Sequence, residues 1–403
     1  MTRNIAASVH QRLLNYARAE GRPFNEVLQY FALERFLYRL GRSSYRHQFV
    51  LKGALMLTVW QSPFARPTRD IDLLGRLDSS TEHVASAIQS ICQEPVPEDG
   101  LRFAADSVVG ERIIEAANYE GVRVRFTAHL GTARMPMQID IGFGDPLVPG
   151  PSPVRLPTIL DFPPPELQGY SRESVIAEKL QVMVYLGEIN SRMKDFYDIW
   201  LLATHFDFNG SILAQAVRET FRWRQTTLPL TPIAFTDAFA QNREKQTQWA
   251  AFIGRYRLED TPAALHEAIQ IIAAFLQPVI RALLEGQGFD RRWPPGGPWV
   301  VGVGVSQASG PLQPPHRGGH RVHSGERRSG VGEVGGQGGS VMKSISDFLL
   351  PNESEYDILC SVVKQKAGEA SHRAHLSGRN WQSCSTFSPL GDSVFCLGSH
   401  CHS

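Results

Sequence analysis

The sequence predicts an α+β protein in which a mixed β-sheet with flanking helices precedes a helical domain and a glycine-rich tail. Residues 48–150 alternate short apolar stretches, typical of strands, with helix-like stretches. Residues 172–288 place apolar side chains at helical spacing, whereas residues 289–403 are rich in glycine without a regular period. We therefore expect a sheet-containing core, a helical domain and a disordered tail, in that order.

Two helices are predicted in residues 1–47, ahead of the core. Ile5, Val9 and Leu13 form an apolar stripe at helical spacing, and a Gly-Arg-Pro break at residues 21–23 separates the first helix from the second. Within the core we expect two helices, and we expect five strands. The helices are near 53–60 and 80–93, and the strands are 48–51, 68–74, 105–114, 122–130 and 136–143.

A proline-rich stretch leaves the core, and we interpret residues 151–171 as a linker on the surface. Helices of the following domain are expected from Glu173, Lys194 and Thr261.

Composition excludes some classes of protein. The formal net charge of the 403 residues is +1, so no global field favours nucleic acid or membrane. No apolar run is long enough to suggest a membrane span. Only Cys92 precedes residue 350, which suits a reducing cytoplasm. Cysteines and histidines of the tail permit a zinc site, although no CxxC pair is present. They are Cys360, Cys384, Cys396 and Cys401 with His372, His375, His400 and His402.

The stretch RPTRDIDLLG, residues 66–75, places two carboxylates in a predicted strand. Because side chains alternate along a strand, Asp70 and Asp72 share one face, about 6 to 7 Å apart. Two such carboxylates repel each other unless a cation lies between them, and hard oxygen ligands suit Mg²⁺. A solvated strand edge is the alternative.

A second strand, within PMQIDIGFGD at residues 136–145, carries Asp140 between Ile139 and Ile141. This arrangement fits a third metal-site carboxylate that activates an attacking hydroxyl. An acid on the solvated face of a half-buried strand is the alternative.

Lys52 and Gly53 end the first predicted strand, in FVLKGALML at residues 49–57. A strand that turns at glycine into a helix presents backbone N–H groups to a phosphate, and Lys52 adds a cation there. A strand-end lysine beside a turn glycine is the simpler interpretation.

Two predicted helices add charged residues. Lys179 lies on the apolar face of one helix and needs an anion there, unless it extends to the surface. Asp195 and Asp198 lie three residues apart on the next helix. Asp198 supplies that anion, or both acids face a nucleotide. A structural salt bridge explains the same residues.

Taken together, LKGALML, RPTRDIDL, QIDIGFGD, ESVIAEKL and RMKDFYDIW resemble the AbiEii/AbiGii-type nucleotidyltransferase toxins, which are related to the DNA polymerase β-like nucleotidyltransferases. The resemblance extends from the first helix to about residue 284. It implies a polymerase β-like core, a divalent metal (Mg²⁺ or Mn²⁺) and a nucleoside triphosphate substrate. The implied partners are a separately encoded antitoxin, often of the winged-helix type, and an RNA such as tRNA.

The resemblance assigns roles by position. Asp70 and Asp72 would bind metal, with Asp140 as a possible third ligand, and Lys179 and Asp198 would complete the catalytic set. The predicted nucleotide contacts are Lys52, Gly53, Thr68, Arg69, Lys194 and Asp195. One departure is Ala54, where the polymerase β-like pattern has serine or glycine. The lost hydroxyl contact predicts weaker nucleotide affinity, not an inactive site.

A basic stripe is the weaker prediction of an RNA surface. The arginines 35, 39, 42 and 46 recur at helical spacing and would contact phosphates if the second helix continued that far. A solvated helix face is the alternative. A second candidate consists of Arg218, Arg222 and Arg224 with Phe221 and Trp223 interleaved.

The sequence thus predicts a metal-dependent, cytoplasmic nucleotidyltransferase toxin that adds a nucleotide to the 3′ end of tRNA and has no membrane partner. Two alternatives remain open. One is transfer to a protein or small-molecule hydroxyl, and the other is a non-catalytic nucleotide-binding partner in a phage-defence complex.

Overall fold

The computed structural model describes residues 4–62, 66–115, 119–258 and 260–301, which all lie in one compact unit, Met1–Pro311. The tail cysteines and histidines lie outside the described residues. Two helices begin the described chain, α1 (Ile5–Ala19) and α2 (Phe24–Arg42), and they flank the predicted break.

A seven-stranded mixed sheet follows, in the spatial order β3-β4-β5-β2-β1-β7-β6. Its strands are β1 (Phe49–Lys52), β2 (Asp70–Gly75), β3 (Leu101–Glu115), β4 (Tyr119–Leu130), β5 (Ala133–Phe143), β6 (Ser152–Arg155) and β7 (Glu166–Gly169). Two helices lie between these strands, α3 (Leu55–Val59) and α4 (Thr81–Cys92). The five predicted core strands and both predicted helices are present, which confirms the mixed-sheet fold class.

One face of the sheet is the core. Ile71, Leu73, Ile139 and Ile141 are fully buried, because α1, α2 and α4 pack on that side. The alternation of a strand sends the intervening side chains to the other face. The apolar pattern of β2 and β5 therefore directs their carboxylates away from the helical layer.

The proline-rich connection is part of the sheet, which differs from the linker predicted at 151–171. β7 pairs in parallel with β1, and β6 pairs with β7. Both strands are four residues long, and β6, which contains Pro153, is the edge strand, where proline is tolerated. Local composition did not reveal these strands, because the strand that joins them to the sheet, β1, pairs with β7 from more than a hundred residues earlier in the chain.

The remaining helices form the second layer of the molecule. They are α5 (Arg172–Leu186), α6 (Met193–His205), α7 (Gly210–Trp223), α8 (Asp237–Ala240), α9 (Arg243–Tyr256) and α10 (Leu265–Leu284). Within the described residues, α10 is the one helix long and apolar enough to cross a membrane by length and composition. It packs against α6 and α7 and buries Ile272 and Phe275, as the core helix of a globular domain does.

Residues 289–301, predicted to start the tail, belong to the folded unit and bury Phe289 and Trp293. A short β8 (Phe208–Asn209) pairs with β9 (Arg291–Trp293), which pairs with β10 (Val300–Val301). Trp293 is 2% exposed, and its Nε1 donates to the Ala203 carbonyl at 2.7 Å. The predicted boundary after residue 288 was wrong, because isolated tryptophans anchor a stretch whose average composition resembles a tail.

Candidate active site

Two parallel strands bring three carboxylates to one place. β2 and β5 pair in register, so that Asp72 lies opposite Asp140 and Asp70 lies opposite Gln138. Residues in register on neighbouring strands point to the same face of a sheet. The three predicted acidic residues therefore share the face that the helical layer of α1, α2 and α4 leaves uncovered.

Negative charge is in excess at this point. Partial burial raises the pKa of Asp70, and the neighbouring Asp140 raises it further, although Arg123, Lys194 and Arg69 act in the opposite direction. A raised carboxyl pKa means that the ionised form is disfavoured. A cation placed between these carboxylates would relieve that cost.

Asp140 already has a cationic partner. Arg123, opposite it on β4, donates to both of its oxygens at 2.8 Å. This bidentate pair raises the pKa of Arg123 and holds the carboxylate in one orientation. Sequence reasoning missed Arg123, because nothing local in β4 distinguishes this arginine from Arg125.

Gly53 lies directly beneath the Asp72 carboxylate. Its φ is +72°, and a β-carbon at this position would overlap the Asp72 carboxyl group. Both the backbone conformation and the close contact therefore require glycine. Lys52, the preceding residue, pairs opposite Asp72 in the antiparallel β1–β2 ladder.

Lys52 is buried in a network that joins the sheet to α5 and to the residues just after α7. Its Nζ lies 3.5 Å from Asp145 and 3.6 Å from Glu178 of α5. Arg224, just after α7, donates to the same Asp145 at 2.9 and 3.1 Å. Lys52 is thus positioned by two acids, and a phosphate bound there would compete with them. Asp145 and Glu178 carried no recognisable local pattern, so the sequence did not reveal them.

The helix carboxylates form a separate, neutralised cluster. Lys179 Nζ lies 2.6 Å from Asp195 and 2.9 Å from Asp198. Arg66 donates to both Asp198 oxygens at 2.9 Å, and Arg192 contacts Asp195 at 2.8 Å. Of the two interpretations of Asp198, the structure supports the one in which it is the anion that Lys179 requires.

The pKa values in this cluster follow from its cations. Burial alone would raise the pKa of Asp195 and Asp198, but Lys179 with Arg192 or Arg66 lowers both below the ordinary value. Burial alone would lower the pKa of Lys179, and the two aspartates raise it instead. An aspartate with a lowered pKa is a poor proton acceptor, which points away from Asp198 as a general base.

Lys194 occupies the space between the two clusters. Arg192 and then burial lower its pKa, whereas Asp195 and Asp72 raise it, so it lies within electrostatic reach of both acidic groups. Within the described residues Lys194 forms no ion pair. Of the other predicted nucleotide contacts, Arg69 is exposed and Thr68 is half-buried beside Asp70.

The predicted basic stripe does not exist as a surface. Arg35 is 1% exposed and contacts Glu34, and Arg39 is 5% exposed and forms a bidentate pair with Asp99. Arg42 is exposed at the end of α2, and Arg46 lies beyond that helix. This prediction was wrong because helical spacing defines a face but does not say what packs against it.

The second predicted basic group is also divided by burial. Arg222 and Trp223 are exposed, whereas Phe221 is buried and Arg224 belongs to the Asp145 network. Arg224 therefore acts within the protein and not toward a nucleic acid.

A metal ion fits this site only with help from the substrate. No group of three His, Cys, Asp or Glu side chains within the described ranges is arranged to hold a metal on its own. The reason lies in Asp140, whose oxygens face Arg123. Asp70 and Asp72 remain, and Mg²⁺ in nucleotide-dependent enzymes is commonly bound by one or two carboxylates plus phosphate oxygens. The residues present fit that arrangement.

Aspartates on adjacent parallel strands, a glycine turn beside them and the lysines 52, 179 and 194 nearby form an arrangement suited to nucleotidyl transfer. The sequence model of the family described as "Nucleotidyl transferase AbiEii toxin, Type IV TA system" matches residues 35–275, more than half of the chain. The chain belongs to this family. It is a nucleotidyltransferase toxin of a type IV toxin–antitoxin system, which implies a cognate antitoxin.

Two solved structures are similar in outline. One is a candidate nucleotidyltransferase from H. pylori, 13% identical, with a TM-score of 0.35, covering 63% of this chain and 95% of its own. The other is JHP933 from Helicobacter pylori, 14% identical, with a TM-score of 0.35, covering 62% and 90%. No curated protein sequence matches this chain.

Proposed function

We propose that this toxin transfers a nucleoside monophosphate from a nucleoside triphosphate to the 3′ end of an RNA, with tRNA as the acceptor and pyrophosphate as the second product. The observation that carries this proposal is the register of β2 and β5, which aligns Asp70 and Asp72 with Asp140. A cytoplasmic reaction follows from these substrates.

In this mechanism Asp70 and Asp72 would hold the divalent ion that accompanies the triphosphate. Mg²⁺ held there would neutralise phosphate charge and help ionise the attacking hydroxyl. After the bound triphosphate takes over Arg123, the present partner of Asp140, this carboxylate takes the proton of the attacking 3′-hydroxyl. That oxygen forms a bond to the α-phosphorus as the bond to the pyrophosphate breaks.

The cations hold the triphosphate. Lys194 is the best-placed residue for this role, because it lies between the acidic groups without an ion pair in the described part of the chain. Lys52 and Lys179 contribute charge from positions set by their acidic partners. Asp198 positions Lys179 and Arg66 and does not itself touch the substrate.

The partner in this proposal is a separately encoded antitoxin of the winged-helix type. The family supports a cognate antitoxin, and the winged-helix type belongs to the proposal alone.

Transfer is tested with the full-length protein, Mg²⁺, each radiolabelled nucleoside triphosphate in turn and bulk tRNA. Label should enter tRNA with one preferred nucleotide, and periodate oxidation of the tRNA 3′ end should abolish it. Asp70→Ala should lower the rate about 1,000-fold or more, because it removes a ligand of the metal. Asp290→Ala, an exposed aspartate outside the site, is the matched control.

If tRNA stays unlabelled while a protein or a small molecule becomes labelled, the acceptor is a hydroxyl of that protein or small molecule and not an RNA. Metal-dependent triphosphate binding without any labelled product would indicate a non-catalytic binding partner. Full activity of Asp70→Ala would overturn the assignment of the site.

A further inference from the structure

Half of the catalytic face of the sheet is open. Along β4, residues 122, 124, 126 and 128 are buried, whereas 123, 125, 127 and 129 are half-buried or exposed. β5 shows the same alternation, with buried residues at 135, 137 and 139. α1, α2 and α4 pack on the buried side, so the other side of β3, β4 and β5 faces solvent beside the carboxylates.

Basic side chains follow this open face. The register of the strands places them in neighbouring positions, because His129 pairs with Arg102 on β3 and with Arg134 on β5. Arg123 and Arg125 lie farther along β4 on the same face. We call this set the basic strip, and it consists of Arg102, Arg123, Arg125, His129 and Arg134.

The strip carries more positive than negative charge. Arg125 contacts Glu111 at 2.6 Å, and Arg123 contacts Asp140. Arg102 and Arg134 are exposed and form no ion pair with any described residue. Asp106 is the other acid nearby.

The pKa of His129 is affected by the charged side chains around it. Partial burial, and then Arg102 and Arg134, lower the pKa of His129, whereas Asp106 raises it. The end of the strip far from Asp140 is therefore positively charged, and a neutral histidine ring lies within it.

The strip leads to the reacting groups. Arg134 precedes Asp140 by six residues on β5. At about 3.3 Å per residue, the two positions are about 20 Å apart along the strand. A polyanion lying on the strip would thus reach from Arg134 to the carboxylates in a straight path of several nucleotides.

The chemistry of the surface favours nucleic acid over protein. Among the described residues of this face, Val109, at 65% exposed, is the one large apolar side chain that is strongly exposed. Protein interfaces have cores rich in aromatic residues and poor in charge, whereas interfaces with nucleic acids are polar and positive. A histidine ring among arginines also suits stacking with an unpaired base.

We propose that the basic strip binds the phosphate backbone of the acceptor RNA and directs its 3′ end to Asp70 and Asp72. The proposal rests on the proposed function, since it requires an RNA acceptor. Arg102 and Arg134 bind phosphates remote from the reacting end, Arg125 binds nearer to it, and His129 stacks on a base.

The test compares two double variants of the full-length protein that lose the same charge. Arg102→Gln with Arg134→Gln removes the two unpaired cations of the strip. Arg18→Gln with Arg281→Gln removes two exposed arginines on α1 and α10, away from the strip. Binding of fluorescent bulk tRNA is measured by anisotropy between about 50 and 300 mM salt, and thermal unfolding checks the fold of each variant.

Each phosphate contact to a single strand adds about 0.7 to the slope of log affinity against log salt. The strip variant should lower that slope by about 1.4 and weaken binding about 25-fold at 0.1 M salt. Its KM for tRNA should rise while kcat stays near the parent value, and the control pair should match the parent.

If the two double variants bind tRNA equally well and the parent is active, the basic strip does not bind the acceptor RNA, and the proposed function remains intact. A parent that neither binds nor labels tRNA would overturn the proposed function itself. Retained tRNA affinity with lost binding of the cognate antitoxin would identify the strip as a protein-docking surface and also overturn the proposal.

Discussion

Strand β2 of the sheet and helix α6 each carry a closely spaced pair of aspartates, and the two pairs lie in opposite electrostatic surroundings. Asp70 and Asp72 on β2 lie beside a third acid, and the pKa of Asp70 is raised. Asp195 and Asp198 on α6 contact Lys179, Arg66 and Arg192, and their pKa values are lowered.

This difference distinguishes residues that bind metal and substrate from residues that position other side chains. An acidic group whose ionised form is disfavoured attracts a cation and its phosphates, whereas a neutralised group fixes the positions of the lysine and arginines around it. We therefore assign metal and substrate binding to the strand pair and the positioning of Lys179 to the helix pair.

The largest expected effect concerns stability. Asp198→Asn should lower the free energy of unfolding by about 3 to 5 kcal/mol, because the largely buried Arg66 would lose its carboxylate partner and Lys179 would keep only Asp195. Asp70→Asn should leave stability unchanged or raise it, since it removes a disfavoured charge. Urea unfolding at pH 7 measures both. A loss of stability in Asp70→Asn as large as that in Asp198→Asn would remove the distinction between the two pairs.

A smaller effect is expected at the glycine below Asp72. Gly53→Ala and Gly286→Ala both place alanine at positive φ, 72° and 68°, which costs about 1 to 2 kcal/mol. Only Gly53→Ala brings a β-carbon against the Asp72 carboxylate, since nothing lies within 4 Å at Gly286. Nucleotidyl transfer should fall about 10- to 100-fold in Gly53→Ala relative to Gly286→Ala. Equal rates would show that the position of the Asp72 carboxylate is not critical.

The smallest effect is in the pH dependence of stability. Asp195 and Asp198 have lowered pKa values, so their contribution is complete above the unfolded value near about 4 and is lost as pH falls further. Asp70 has a raised pKa, so its protonation adds stability as pH falls through that raised value.

Urea titrations between about pH 2.5 and 6 measure the slopes. Asp198→Asn should flatten the loss of stability below about pH 4 relative to the parent. Asp70→Asn should remove the small increase in the free energy of unfolding that the parent shows as pH falls toward about 4. Superimposable slopes of Asp198→Asn and parent would contradict the neutralised cluster.

The cation partners show the limit of sequence reasoning. Arg66 and Asp198 are 132 residues apart in the chain, and Arg224 and Asp145 are 79 apart. No local pattern links such residues, because each pairing is created when α5, α6 and the loop after α7 pack on the sheet. Arg35 and Arg39 illustrate the opposite error, since their helical spacing is real but their face is buried.

The sequence by itself determined the five core strands β1–β5 and the shared face of the acidic residues. Alternation buries Ile71 and Ile139 and thereby turns Asp70, Asp72 and Asp140 the other way, since the side-chain period of a strand is two. Only the tertiary structure decided which charges are neutralised and which face is open. Burial, ion pairing and the exposed basic strip depend on contacts between distant segments, which periodicity along the chain does not encode.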